Sequence, residues 1–246
     1  MKKQIAALIG SIIFLAGNAW ASSGHWTYSG HEGPENWGKL SADYEMCGKG
    51  KNQSPINITG ATAAELQPIS FSYKSSGLDV VNNGHTIKES YDAGSSIEID
   101  GHTYNLLQVH WHTPSENVID GKSFPMEGHF VHGDAEGNLA VIGVMYTTGS
   151  KNEAISAIWE NMPAKASATK KDANISVNAM DMLPANKGYY RFNGSLTTPP
   201  CSEGVRWMVM KDPVEVSTEQ VELFHSKFHG DTNRPVQALN ARPVLK

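Results

Sequence analysis

Across residues 96–112, SIEIDGHTYNLLQVHWH, apolar and polar positions first alternate and then close up into a denser apolar run. Ile97 and Ile99 alternate with polar neighbours, as in a half-buried strand, and Asp100-Gly101 supplies the dipeptide of a two-residue hairpin turn. A long second strand then carries the chain to His112. Shorter strand-like stretches lie at 69–73 (ISFSY), 78–83 (LDVVNN), 85–91 (HTIKESY), 127–132 (EGHFVH) and 206–211 (RWMVMK). The run 139–147, LAVIGVMYT, is apolar at both parities, which predicts a central strand covered on both faces. Helical spacing is confined to two segments. Ile155, Ile158, Trp159 and Met162 fall on one stripe of 152–163, which ends at Pro163. In 217–228, Ser217 and Gln220 form a capping-box pattern ahead of Val221, Phe224 and Phe228. The pattern predicts a mainly β chain: a single domain on a large, mostly antiparallel twisted central sheet, with short peripheral helices and long loops.

Residues 1–21 are expected to be a cleaved signal peptide. Lys2 and Lys3 precede an apolar run, Ile5 to Gly17, and Ala19-Trp20-Ala21 has the small-x-small form of a cleavage site. The mature domain is then 22–246, with no second run of membrane-spanning length. Loss of the two lysines moves the formal charge from −5 to −7. A mildly acidic chain without a basic run argues against nucleic acid and against anionic membranes as partners. Cys47 and Cys201 form no CxxC pair. In an exported chain they either form the one intramolecular disulfide that two cysteines allow or stand as separate thiols.

Histidine is the residue whose placement carries chemistry. His25, His31 and His102 lie in polar or turn-like contexts, and His225 and His229 sit four apart on an ordinary amphipathic helix with no carboxylate between them. The strand histidines differ. His110 and His112 are two apart, so both project from one face of an apolar strand. His129 and His132 are three apart on a second strand and point to opposite faces, so only one can join the first pair. Glu127 and Gln108 stand two residues before His129 and His110 respectively, where each can accept the ring proton of its neighbour. Metal-bound histidines usually donate their second nitrogen to such an acceptor. The pattern therefore favours His129 as the third ligand and His132 as a buried structural residue. Three imidazoles without a fourth protein ligand describe a catalytic zinc site with an open position; an incidental buried histidine cluster is the alternative.

The chain resembles the alpha-class carbonic anhydrases, through HWTYSGHEGPENW (25–37), KNQSPINI (51–58), NNGH (82–85), QVHWHTPSEN (108–117), EGHFVH (127–132), NLAVIGV (138–144), YYRFNGSLTTPPCSEGVRW (189–207) and NRPVQALNAR (233–242). The resemblance implies one Zn2+ per chain on His110, His112 and His129, and reversible hydration of carbon dioxide to bicarbonate and a proton by zinc-activated hydroxide. Thr197 matches the gatekeeper hydroxyl, Glu116 the carboxylate that takes its proton, and His85 the proton shuttle. Gln108 and Glu127 support the ligands. Tyr28, Asn83 and Thr198 match polar residues that order water, Thr198 also bordering the substrate pocket. Val131, Val141, Leu196 and Trp207 match the apolar wall where carbon dioxide rests. Lys88 is outside the family pattern, and a cation three residues from His85 is expected to lower that residue's pKa. Cys47 and Cys201 match the disulfide of exported members, and Pro199-Pro200 is expected to be cis. Small anions and sulfonamides are the inhibitors implied, the bacterial periplasm the compartment, and a monomer or weak dimer the state. A non-catalytic adhesion or binding relative is the rival; such relatives typically lack a zinc histidine.

Overall fold

The computed structural model describes residues 24–246; the leader expected at 1–21 lies outside them. The strands, in chain order, are β1 (Asn57–Ile58), β2 (Ser70–Ser72), β3 (Ser76–Asn82), β4 (Ile87–Ser90), β5 (Ser96–Ile99), β6 (His102–His112) and β7 (Val118–Ile119). They continue with β8 (Met126–Gly133), β9 (Leu139–Thr148), β10 (Thr169–Val177), β11 (Tyr189–Ser195), β12 (Glu203–Met210) and β13 (Val214–Val216). Eleven of them build one sheet whose main path runs β10-β3-β4-β6-β8-β9-β12-β11. Most neighbours are antiparallel, but β9 pairs in parallel with both β12 and β13. The centre is therefore mixed.

β9 is the strand that was apolar at both parities, and the packing shows why. Val141 and Met145 face one core together with Val131, Trp207 and Val209. Ala140, Ile142, Val144 and Tyr146 face the other, with Val109, Trp111, Phe130 and Met208. Each buried side chain of this size contributes roughly 1.5–3 kcal/mol relative to exposure, so both faces of β9 hold the layers together. The second core is closed by two helices, α3 (Glu153–Trp159) and α4 (Thr218–His225), following the shorter α1 (Trp37–Leu40) and α2 (Met46–Lys49). Asn152 caps α3, and α4 carries the capping box of Ser217 and Gln220. Both helices stop earlier than their apolar stripes, yet Met162 and Phe228 still pack on the same core.

The hairpin turn adopts the left-handed conformation its residues permit, with φ of 52° at Asp100 and 75° at Gly101. The expected cis bond at Pro199-Pro200 is present, as are two more, at Ser54-Pro55 and Thr113-Pro114. Cys47 and Cys201 form a disulfide across 154 residues, inside a small cluster with Trp37 and Tyr44. β10 and β11 escaped the apolar pattern: β10 reads TKKDANISV with most side chains exposed, as an edge strand does. One buried acid is only half satisfied. Glu89 accepts from the Asp79 N–H at 2.9 Å through Oε1, while Oε2 has no partner among the described residues. Burial pushes its pKa up to about 7.

Candidate active site

The site is built on one face of β6 and β8. The antiparallel register sets His110 opposite His129 and His112 opposite Glu127, so the ligand candidates and their acceptors form adjoining rows. One ring nitrogen from each of His110, His112 and His129 comes together, with all three atoms within 4.8 Å of one another. His132, of the other parity, is buried on the opposite face. Its Nε2 lies 2.7 Å from the Tyr73 hydroxyl and its Nδ1 3.2 Å from the Ala140 carbonyl. His225 pairs with Asp231 at 3.2 Å, away from the cluster.

Each outward nitrogen faces an acceptor. His110 Nδ1 lies 2.8 Å from Gln108 Oε1, and His129 Nε2 lies 3.0 Å from Glu127 Oε1. His112 Nδ1 meets the Thr232 carbonyl, a partner that no side-chain pattern could reveal. The converging nitrogens are therefore His110 Nε2, His112 Nε2 and His129 Nδ1. Of these, His112 Nε2 is buried without a hydrogen-bond partner among the described residues. Burial first, then His112, His129 and Lys88, push His110 well below the usual histidine range, and burial brings His112 to about 4. Neutral rings present free lone pairs. An orphaned buried nitrogen among three converging rings fits a metal such as zinc far better than a closed hydrogen-bonded cluster.

Glu127 is held as a carboxylate. Oε2 accepts from the Glu116 and Asn117 N–H groups at 2.9 and 2.7 Å, and Oε1 from Asn117 Nδ2 at 2.8 Å. Burial would raise its pKa, but His129 and Asn117 outweigh it and the pKa is lowered. Glycine at 143, opposite His129 on β9, makes room: a Cβ there would sit 3.0 Å from Glu127 Oε1 and 3.2 Å from Val209.

Glu116 is buried beside the cluster, with Oε2 3.5 Å from His112 Nε2 and 3.9 Å from His129 Nδ1. Its Oε1 accepts the Arg234 N–H at 2.8 Å. Burial raises its pKa to about 7, against the pull of His129, the Arg234 N–H and the Thr197 hydroxyl. A divalent cation held by the histidines would favour its ionised form. Thr197 is buried in the loop after β11, which the disulfide at Cys201 anchors.

The apolar wall follows from register. Val131, Val141 and Trp207 are successive partners across β8, β9 and β12, and Leu196 packs against the same cluster. The Trp207 ring lies edge-on to His129, with centroids 4.9 Å apart. At the mouth is a cavity of about 1430 Å³ whose lining includes Tyr28, His85, His229 and Thr232. The Tyr28 hydroxyl is buried and has no partner among the described residues, and its ring is edge-on to His112. The half-buried His85 stacks on Trp26, with centroids 3.7 Å apart and planes within 10°. Asn83 is exposed, and its Oδ1 accepts the N–H groups of His85 and Thr86. It shapes the turn that presents His85. Thr198 is half-buried, and its carbonyl accepts from Cys201 N–H at 2.8 Å.

One expectation needs correcting. His85 is shifted below its ordinary pKa by burial and by His25, not by Lys88. Three residues of sequence carry the chain from the turn into β4, where Lys88 lies opposite His110 instead.

Comparison with known proteins agrees with this geometry. The family model described as eukaryotic-type carbonic anhydrase matches residues 32–246. A carbonic anhydrase of Pectobacterium carotovorum is 45% identical over the full length of both chains. The alpha-carbonic anhydrase of Thermovibrio ammonificans, solved with sulfanilamide, superposes with a TM-score of 0.88 at 48% identity, over 91% of this chain and 99% of that one. A hyperthermostable carbonic anhydrase from a hydrothermal vent chimney gives 0.88 at 55% identity, over 90% and 99%. The chain belongs to the eukaryotic-type, or alpha, carbonic anhydrase family.

Proposed function

We propose that the chain hydrates carbon dioxide reversibly to bicarbonate and a proton, with one zinc ion held by His110, His112 and His129. The observation that carries this reading is the convergence of three imidazole nitrogens, one of them an orphaned buried atom, beside a buried carboxylate and an apolar wall. When bound there, zinc supplies a Lewis acid that makes water a nucleophile near neutral pH; carbonic anhydrase is itself the best-known instance of that effect.

The chain's own residues do the rest. Gln108, Glu127 and the Thr232 carbonyl fix the three ring tautomers, so that each lone pair points inward. Glu116, whose Oε2 has no hydrogen-bond partner among the described residues, is the acceptor for the Thr197 hydroxyl hydrogen, which leaves the Thr197 oxygen as an acceptor for the attacking oxygen's hydrogen. The nucleophile's lone pair, rather than its proton, then faces the substrate. Carbon dioxide has no net dipole, and Val131, Val141, Leu196 and Trp207 offer it an apolar surface. Tyr28 lines the approach, and His85 at the mouth receives the proton and passes it to solvent. The disulfide and the leader pattern of residues 1–21 support an exported protein of the bacterial periplasm, an oxidising compartment. Sulfonamides and small anions are the inhibitors this site would take.

The test pairs zinc analysis with stopped-flow hydration of carbon dioxide. Wild-type protein should hold one zinc and lose activity on chelation. His129→Ala should lose both metal and activity, whereas His132→Ala should destabilise the fold and keep zinc. Undiminished zinc in His129→Ala sinks the ligand assignment.

A further inference from the structure

Lys88 is a cation of the site face with no assigned task. It lies directly opposite His110 across the antiparallel pair β4·β6. Residues so opposed share a face, with Cβ atoms about 4.5–5.5 Å apart. The lysine side chain therefore starts beside a proposed metal ligand, and its flexible four-carbon stem can bring the ammonium over the cleft. Lys88 is half-buried, and its charge reaches far enough to bear on His110. None of the ion pairs formed among the described residues includes it. The nearby acids do not neutralise it. Glu89, its neighbour in β4, points to the opposite face, and Glu116 is buried against Arg234 N–H, His112 and His129.

A cation without a counter-ion beside this site bears on one chemical distinction: the substrate is uncharged, whereas the product is an anion. We propose that Lys88 forms an anion-attracting subsite, which draws small monovalent anions, bicarbonate among them, to the metal position. The proposal rests on the metal reading above. It does not predict a selective change in one direction of the reaction. At a given pH the overall equilibrium constant fixes the ratio of the two kcat/KM values, so both directions must change together. The distinguishing signature is anion affinity itself.

That affinity is measurable without turnover, by titrating azide into cobalt-substituted protein and following the visible absorption of the metal. At low ionic strength Lys88→Gln should raise the azide Kd roughly 3- to 10-fold, the size expected for removing one nearby unit charge in a partly solvated cleft. Lys88→Met, which keeps the length of the stem, should do the same, and Lys88→Arg should restore tight binding. The difference between wild type and Lys88→Gln should shrink as ionic strength is raised with a bulky organic salt. An azide Kd unchanged in both neutral variants, with cobalt still stoichiometric, overturns the subsite. Wild-type protein that takes up no cobalt overturns the metal reading instead, and the subsite with it.

Discussion

Replacing Glu127 by glutamine tests how the site controls the protonation of its ligands. Glu127 accepts three hydrogen bonds, at 2.9, 2.7 and 2.8 Å, and faces His129 Nε2 at 3.0 Å. Glutamine has the same size but one acceptor oxygen. Placed where Oε2 stood, that oxygen still serves the Glu116 and Asn117 N–H groups. The new NH2 group then confronts two donors, Asn117 Nδ2 and His129 Nε2–H. Asn117 cannot reverse its amide freely, because its Oδ1 accepts the Ile56 N–H at 3.1 Å. His129 can yield by moving its proton to Nδ1, but Nδ1 then has no lone pair to offer a metal. Loss of such an outer partner usually costs 10- to 100-fold in metal affinity, and a reversed tautomer should put this variant at about 100-fold or beyond. The metal-free fold should lose about 2–4 kcal/mol, from one charge-assisted bond and one donor facing a donor. Competition against a zinc chelator reads the first quantity and denaturant unfolding of the metal-free protein the second. If zinc affinity stays within about threefold of wild type while stability falls, the tautomer argument is wrong.

Reduction of the disulfide should lower stability by up to about 5 kcal/mol for a closure of 154 residues, or very roughly 10–20 °C in Tm by scanning calorimetry. A shift of only a few degrees would mean that the bridge constrains little. Glu89→Gln should stabilise the protein at pH 8 by roughly 2–3 kcal/mol and have little effect at pH 4. The folded protein keeps the Glu89 proton to about pH 7 whereas the unfolded chain releases it near 4.5, so wild-type stability is lost as pH rises between these values. Denaturant midpoints of both proteins at the two pH values check this, and parallel curves refute it. His85→Ala should lower kcat in weak buffer but leave kcat/KM nearly intact, with imidazole restoring much of the loss. An equal fall in both would show that His85 shapes the site rather than carrying protons.

Much of the site was legible because strand parity is a strict rule. Gln108, His110 and His112 had to share a face, as did Glu127 and His129, and His132 had to leave it; the structure places them so. The apolar run 139–147 announced a strand covered on both sides for the same reason. Parity says nothing about loops or exposed edges. The edge strand β10 has little to bury and therefore no apolar signature. Lys88 illustrates a different failure. Proximity in sequence suggested His85 as the group it influences, but a strand pairing outranks three residues of chain separation. The Thr232 carbonyl left no trace, since every residue carries a carbonyl and only the fold selects which one is used.

The loop that supplies this carbonyl also ties the site to the rest of the chain. Thr232 N–H donates to the Thr113 carbonyl at 2.9 Å, and the Thr113 N–H returns a bond to Thr232 Oγ1 at 3.1 Å. The segment that follows His112 is thus fixed to one near the C-terminus. Two residues on, Arg234 gives its N–H to Glu116, while its buried guanidinium donates to Gln53 Oε1 at 2.8 Å and to the Cys47 carbonyl at 3.0 Å. Gln53 in turn donates to the Cys201 carbonyl at 3.0 Å. Glu116 and the loop that carries Thr197 are therefore joined through Arg234, Gln53 and the two half-cystines. Their relative position is set by buried hydrogen bonds rather than by the sheet. Strands deliver the three imidazoles to within 4.8 Å, a spacing that the β-ladder itself provides. Thr197 and Glu116 come from loops, and loops hold a fixed geometry only where such a network ties them. The buried arginine belongs to this arrangement: its several N–H donors can hold carbonyls from separate segments at once, which the single ammonium of a lysine could not do in the same plane.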